Sequence, residues 1–404
     1  MATSSPTSSI FTHSATGHPH SNLANINAAF VHDAQLRQSL WYDEFLDRIL
    51  TGAPAREWQD ADDTRVAVYL QREHGLTGVS SRQVSEIVNR YAREQPRHCV
   101  RDWLKSLTWD GIARIEESFC DHWGAVPSEK QPHEYLRAIS RNFFVGLVAR
   151  VFQPGCQLDE MVVFESPHQG LFKTSALRAL AGPWYAAAHE RISDKDFFQD
   201  LQGKWIVEIS ELAAFSRAQV ERIKHTITTC VDHFRASYDR RSTDHPRQCV
   251  FAGTTNTTDW GTDETGLRRF WPLTVGVVDI PALTAARPQL FAEAIYEFHH
   301  GSGWWTVPQS ALAVQAERQQ YDEWAELILP WASRALVQGA AYLKIYDILT
   351  DALKFPPNQI DKSAQMRVAR ILVLAHWTRD TIRIGDTIAK VWWPPQSGNG
   401  SNVF

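Results

Sequence analysis

Lys173, Thr174 and Ser175 stand where a turn-rich segment gives way to a helical pattern, shortly after the apolar run Met161–Phe164. Strand, loop, then Lys-Thr at a helix start is the layout of a cradle for nucleotide phosphates. Backbone amides and the helix N-terminus face the anion, the lysine spans the phosphates, and the hydroxyl reaches Mg²⁺. The loop departs from the usual G-x-x-x-x-G-K-[ST] spacing. Pro167 takes the first glycine position and Phe172 stands directly before Lys173, so Gly170 alone remains. A phenylalanine Cβ and ring crowd backbone that must approach a triphosphate, and positive φ is costly for Phe.

Further groups follow in chain order. Glu208 and Glu211 lie at the C-terminal end of the apolar run in WIVEISEL. Such carboxylates suit nucleotide hydrolysis: Glu208 would hold Mg²⁺ through water, and Glu211 would orient or deprotonate the attacking water. A strand-end charge paired with an arginine explains Glu208 equally well. Asn256 ends GTTN, where a polar residue can sense the γ-phosphate, although an isolated T-T-N is more often a capped turn. Arg268 and Arg269 precede another apolar run. An arginine there can neutralise transition-state charge on a neighbouring subunit's nucleotide, or it can form a structural salt bridge. Between these pieces, Phe234–Gln248 interleaves Arg235, Arg240, Arg241 and Arg247 with Phe234 and Tyr238. That mixture suits a single strand of nucleic acid, and a solvated charged loop is as good a reading. Each group has a bland explanation; their co-linear order is what favours the functional one.

The elements that must position these groups are legible as periodicity. The near-continuous apolar runs 161–165, 204–210, 248–255 and 270–278 read as strands of a parallel sheet covered on both faces, with helices at Ser175–Ala181 and Ser216–Thr229 between them. The fold class is therefore α/β, a P-loop NTPase core. A helical N-terminal region flanks it, with patterns at Asn25–Asp33, Trp41–Leu50, Thr64–Glu73 and Ser81–Ala92 and a long amphipathic helix at Tyr135–Phe152. Asp62 and Asp63 read as capping charges of a helix start rather than a metal cluster. Trp109-Asp110-Gly111 reads as a turn. Helix, helix and strand pair over 342–393 outline a small winged-helix-like C-terminal module. The divisions fall at 1–24, a Ser/Thr-rich disordered leader; 25–152, the helical region; 153–300, the core; and 301–404, the C-terminal module.

Composition bounds the function classes. A chain of 404 residues can hold two or three domains, and a net charge of −5 confines any nucleic-acid contact to local clusters. The five cysteines form no C-x-x-C pair, so neither a zinc ribbon nor a disulfide framework is expected, and a reducing cytoplasm fits. No run is long enough for a membrane span, so no membrane partner is expected.

Taken with WDG (Trp109–Gly111), PGCQLDEMVVFE (Pro154–Glu165), KTSALRALAG (Lys173–Gly182), KWIVEISEL (Lys204–Leu212), RQCVFAGTTN (Arg247–Asn256) and TGLRRFWPL (Thr265–Leu273), the chain resembles the virulence-associated E family. YDEF (Tyr42–Phe45) and Gly303-Trp304-Trp305 are similar too, so the resemblance runs from about Asn25 to Trp393. That family comprises P-loop ATPase-type proteins of phages and mobile elements, related to superfamily 3 helicases. The resemblance implies ATP and Mg²⁺ as cofactors, with Gly170, Lys173, Thr174 and Ser175 at the phosphates and Thr174 and Glu208 at Mg²⁺. It further implies Glu208 and Glu211 as the acidic pair, Asn256 as sensor, and Arg268 or Arg269 as arginine finger or second sensor. The implied activity is a helicase-type motor acting on DNA in replication, built as a homo-oligomeric ring and working with a partner such as a primase. Phe172 departs from the family's glycine and leaves a second expectation open: a nucleotide-silent DNA-binding or assembly module, with phage interference as a possible role.

Overall fold

The computed structural model describes residues 10–37, 40–188, 195–211, 217–235, 242–257, 267–301, 303–316, 323–384 and 387–395. Five runs form one parallel sheet: β1 (Met161–Glu165), β2 (Tyr185–Ala188), β3 (Ile206–Ile209), β4 (Val250–Thr255) and β5 (Phe270–Thr274). Their spatial order is β5-β1-β4-β3-β2. Every residue of β1, β3 and β4 is buried, as continuous apolar runs covered on both faces require. β1 matches its expected run, and β3, β4 and β5 match theirs with shorter ends. β2, YAAA, carries no strong strand signal.

Helix α1 (His133–Phe152) shares one core with this sheet: Tyr135, Phe144 and Val148 cluster with Val162, Phe164 and Leu273. It was expected to be amphipathic, yet 14 of its residues are buried, Arg150 among them. Arg150 does not serve its own helix end. Its guanidinium donates to the carbonyls of Arg247 (3.3 Å) and Leu158 (3.4 Å), the approaches to β4 and β1. α2 (Lys173–Ala181) follows β1, and α3 (Ile280–His300) packs on α1 and α2. Arg287 of α3 donates to the carbonyl of Leu180 at 2.7 Å and lies over the Trp103 ring, tying down the end of α2.

The N-terminal part departs from the helical expectation at Trp41–Leu50, which is a β-hairpin of Leu40–Asp43 against Arg48–Thr51. Asp43 is the cause. Its Oδ1 accepts from the backbone N–H of Phe45 (3.0 Å) and Leu46 (2.9 Å), turn chemistry that overrides the apolar spacing. Its Oδ2 accepts from the N–H of Cys99 at 3.0 Å, and Phe45 enters the central core. The YDEF motif therefore docks this hairpin on the sheet unit. Asp62 and Asp63 open a helix, Asp60–Glu73, as expected, and Asp62 is bound by Arg56 at 2.7 and 2.8 Å. The leader is not structureless in its described part: Asn25 clamps Thr12 and His20 through four hydrogen bonds.

The chain divides into two compact units, residues 1–258 with 268–315, and residues 259–267 with 316–404. The second contains helices Trp324–Val337 and Lys362–Leu374 and an antiparallel pair, Thr378–Ile384 with Thr387–Trp393. Leu343, Ile348, Val368, Leu372 and Trp392 form its core. Among the described residues no helix is long and apolar enough to cross a membrane.

A hairpin, Val231–Phe234 with Thr243–Pro246, precedes β4. It carries the expected basic-aromatic run, with two corrections. Arg247 is buried: its Nε donates to Asp232 Oδ2 at 2.9 Å, and its other nitrogens reach Asp232 Oδ1 and the Thr226 carbonyl. Phe234 is also buried, stacked on His245 with centroids 4.0 Å apart. Neither is free for nucleic acid: a buried guanidinium needs its carboxylate partner, and the Phe234 ring is covered by His245. Arg235 is exposed; Arg240 and Arg241 lie outside the described residues. Asp232→Ala would leave the Arg247 guanidinium unpaired and is expected to cost about 3–5 kcal/mol in urea unfolding. A loss under about 1 kcal/mol would contradict this account of the pair.

Candidate functional site

The C-terminal ends of β1, β3 and β4 open into one cavity of about 480 Å³, lined by residues 169–175, Ser210, Glu211 and Thr254–Asn256. This is where an open parallel sheet presents ligand sites, outside the strand carboxyl ends and where strand order reverses. Here the chain leaves β1 for distant β2, and later elements return to both sides of β1. The expected residues Gly170, Lys173, Thr174, Ser175, Glu211 and Asn256 line the same space.

Lys173 begins α2, and its Nζ donates to the Thr255 carbonyl at 2.8 Å and to Asn256 Oδ1 at 3.0 Å. Burial pushes the ammonium below its ordinary value, and the nearby Glu208 and Glu165 carboxylates oppose that shift. α2 has no side-chain N-cap, so the N–H groups of its first turn keep their capacity for an anion. Glu208 is fully buried at the end of β3. Its Oε1 accepts from Thr174 Oγ1 (2.8 Å) and Thr254 Oγ1 (2.6 Å), and its Oε2 accepts from the Tyr185 hydroxyl. Thr174 gives its proton to Glu208 and so keeps oxygen lone pairs for a cation. Glu208 is thus paired with hydroxyls, not with an arginine. Lysine, hydroxyl and buried carboxylate together suit a phosphate anion with a divalent cation.

The backbone around the cavity is strained. Phe172 is left-handed (φ 64°) and Glu211 likewise (φ 56°), two of the five non-glycine residues with positive φ among the described residues. Such strain concentrates at functional sites. Gly170 also takes φ 80°, with open space where a Cβ would point. Ser166 braces the loop after β1, exchanging hydrogen bonds with the backbone of His168 at 2.9 and 3.0 Å. Phe172 therefore adopts the glycine conformation of its position without being glycine, and the residue stays 53% exposed.

Arg268 and Arg269 are not brought to this cavity. They precede β5, whose first residue, Phe270, pairs with Met161 at the far end of β1. Four strand steps, about 13 Å, separate that end from Glu165. Arg269 instead neighbours Glu160. Sequence reasoning missed the cavity-lining Thr254 and, behind the cavity, Tyr185: β2 lacks the β-branched pattern that marks its neighbours, and no local signal ties a tyrosine there to Glu208.

The fold and site together define an α/β protein with an anion- and cation-suited cavity at the strand ends of a parallel sheet. Its family follows from the sequence: the profile of the virulence-associated protein E-like domain matches residues 104–323, more than half of the chain, and the chain belongs to that family. A comparison with curated proteins gives no match. Solved structures of the NrS-1 C-terminal region are similar at low level. An apo structure of its residues 305–718 has 10% identity and TM-score 0.43, covering 90% of this chain and 98% of that one. An A form apo structure of the same region has 10% identity and TM-score 0.41, covering 88% and 96%.

Two expectations follow from this geometry. Phe172→Gly removes a left-handed penalty of about 1–2 kcal/mol and adds about 0.5–1 kcal/mol of unfolded-state entropy. The variant should be as stable as the parent or slightly more so in urea unfolding; a clear destabilisation would show that the exposed ring makes contacts that matter. Glu160 offers a pH test. Burial pushes its carboxyl from 4.5 up to about 7, Asp159 adding to the rise and Arg269 opposing it. The folded value lies above the unfolded one, so this group's contribution is fully present below about 4.5 and is lost as pH rises through about 7. Glu160→Gln should flatten the fall in melting temperature over that window, whereas parallel profiles for the two proteins would rule this out.

Proposed function

We propose that this chain is a P-loop ATPase that drives a helicase-type motor on DNA in the replication of a phage or mobile element. The observation that carries the reading is the convergence of Lys173, Thr174, Glu211 and Asn256 from three strand ends on one cavity, with Glu208 buried behind Thr174 and hydrogen-bonded to it. In this reading the uncapped start of α2 and the backbone of Gly170 hold the phosphates, and Lys173 leaves Asn256 to span them. Thr174 and Glu208 would hold Mg²⁺, which supplies charge neutralisation on the phosphates. Glu211, at the cavity wall, orients or deprotonates the attacking water, and Asn256 senses the γ-phosphate. Arg268 and Arg269, distant from their own cavity, fit an arginine-finger role toward a neighbouring copy in a homo-oligomeric ring. The helix, helix and hairpin order of the C-terminal unit fits a winged-helix-like module, and exposed Arg235 offers a contact for single-stranded DNA.

ATP hydrolysis with and without single-stranded DNA tests the reading. DNA-stimulated turnover is expected, and Lys173→Ala should weaken nucleotide binding roughly 10- to 100-fold through loss of a charged hydrogen-bond donor. Glu211→Gln should lower turnover by about 10²–10⁴ with binding retained. Unchanged turnover in both variants would refute the assignment.

The left-handed Phe172 supports a second reading, a nucleotide-silent DNA-binding or assembly module. Turnover that emerges only in Phe172→Gly would favour it over the motor.

A further inference from the structure

Glu208 is buried at 1% exposure, and its two oxygens are held differently. Oε1 is shared by Thr174 and Thr254, both of which line the cavity. Oε2 takes the hydroxyl of Tyr185, which does not line it. A buried carboxylate with an unsatisfied oxygen is expensive, and its orientation follows the donors it has.

The sheet explains why a tyrosine can reach. β2 runs parallel to β3 with Tyr185 opposite Ile206 and Ala187 opposite Glu208. Residues two apart on a strand share a face, so Tyr185, Ala187, Ile206 and Glu208 all project on one side. The methyl of Ala187, directly beside Glu208, leaves room for the ring of Tyr185 to lean along the strand. Arg178 of α2 lies over that ring, 5.0 Å from its centroid. Burial and the Glu208 carboxylate push the phenol well above its ordinary value, so the proton stays on tyrosine and tyrosine is the donor. Ala187, one of the alanines that made β2 hard to read, is the small residue this contact uses.

We infer that Tyr185 is a positioning residue that holds the Glu208 carboxylate in the orientation shared with Thr174, and thereby sets how strongly Mg²⁺ promotes nucleotide binding. The inference rests on the nucleotide reading above. Tyr185 touches neither nucleotide nor metal in this account; it acts through Glu208.

The test uses the full chain and fluorescence titration with a mant-ATP probe, in EDTA and at rising Mg²⁺. In Tyr185→Phe, which keeps the ring and its contact with Arg178, metal-free binding should be unchanged. The gain in affinity on adding Mg²⁺ should shrink roughly tenfold, as loss of one hydrogen bond to a charged group predicts. In a Glu208→Gln background the same substitution should have no further effect on the Mg²⁺ response. A full Mg²⁺ response in Tyr185→Phe would overturn the inference while leaving the nucleotide reading intact. Equal loss of metal-free and metal-dependent binding would also overturn it, since that marks a role in cavity shape alone. No probe binding by the parent protein would instead sink the nucleotide reading itself, and this inference with it.

Discussion

A parallel sheet covered on both faces leaves polar groups almost nowhere to go except the strand ends. In this protein that constraint places the chemistry. Glu165, Glu208 and Thr255 are buried residues at the ends of β1, β3 and β4, and each has hydrogen-bonding partners there. Lys173 is drawn into the same space by two carboxylates and a carbonyl. The interior elsewhere meets the same demand by pairing: Arg247 with Asp232, and Arg150 with two strand-approach carbonyls. Core and site obey one rule, and they differ in whether the paired groups border a cavity.

Strain at the cavity complements this economy of charge. Phe172 and Glu211 flank it from two different loops, both left-handed. Neither conformation is favoured by its residue type, so the surrounding structure must hold it. The Leu171 carbonyl accepts from the N–H of Val278 at 3.2 Å, while the N–H groups of Gly276 and Asp279 donate to the carbonyls of Trp123 and His122 at the end of helix Ser118–Trp123. The loop is therefore anchored to packed elements on its far side, which is how a strained turn persists.

Much of this was legible in the sequence, and the failures have physical causes. Apolar runs such as MVVFE mark buried strands because they are short and bounded by turn residues, whereas a buried helix such as α1 extends over a far longer stretch. The order of Lys173, Glu208 and Asn256 marked their meeting because consecutive strands of one sheet end together. Trp41–Leu50 misled because its apolar spacing fits a helix, whereas the side chain of Asp43 closes a turn. Arg247 read as a surface charge because its partner, Asp232, lies fifteen residues earlier, on the first strand of the hairpin that Arg247 follows. Tyr185 was silent because its role arises from register with β3, which composition does not encode.

The sheet order has a consequence for how the chain is made. β1, buried along its whole length, is flanked by β4 and β5, both encoded much later. As the polypeptide emerges, β1 has neither neighbour, and both of its edges stay unpaired until Val250–Thr255 has been synthesised. A bare apolar strand with two open edges invites association with other nascent chains. The biosynthesis of this protein should therefore be sensitive to translation speed and to chaperone supply across that interval, well before any ligand matters.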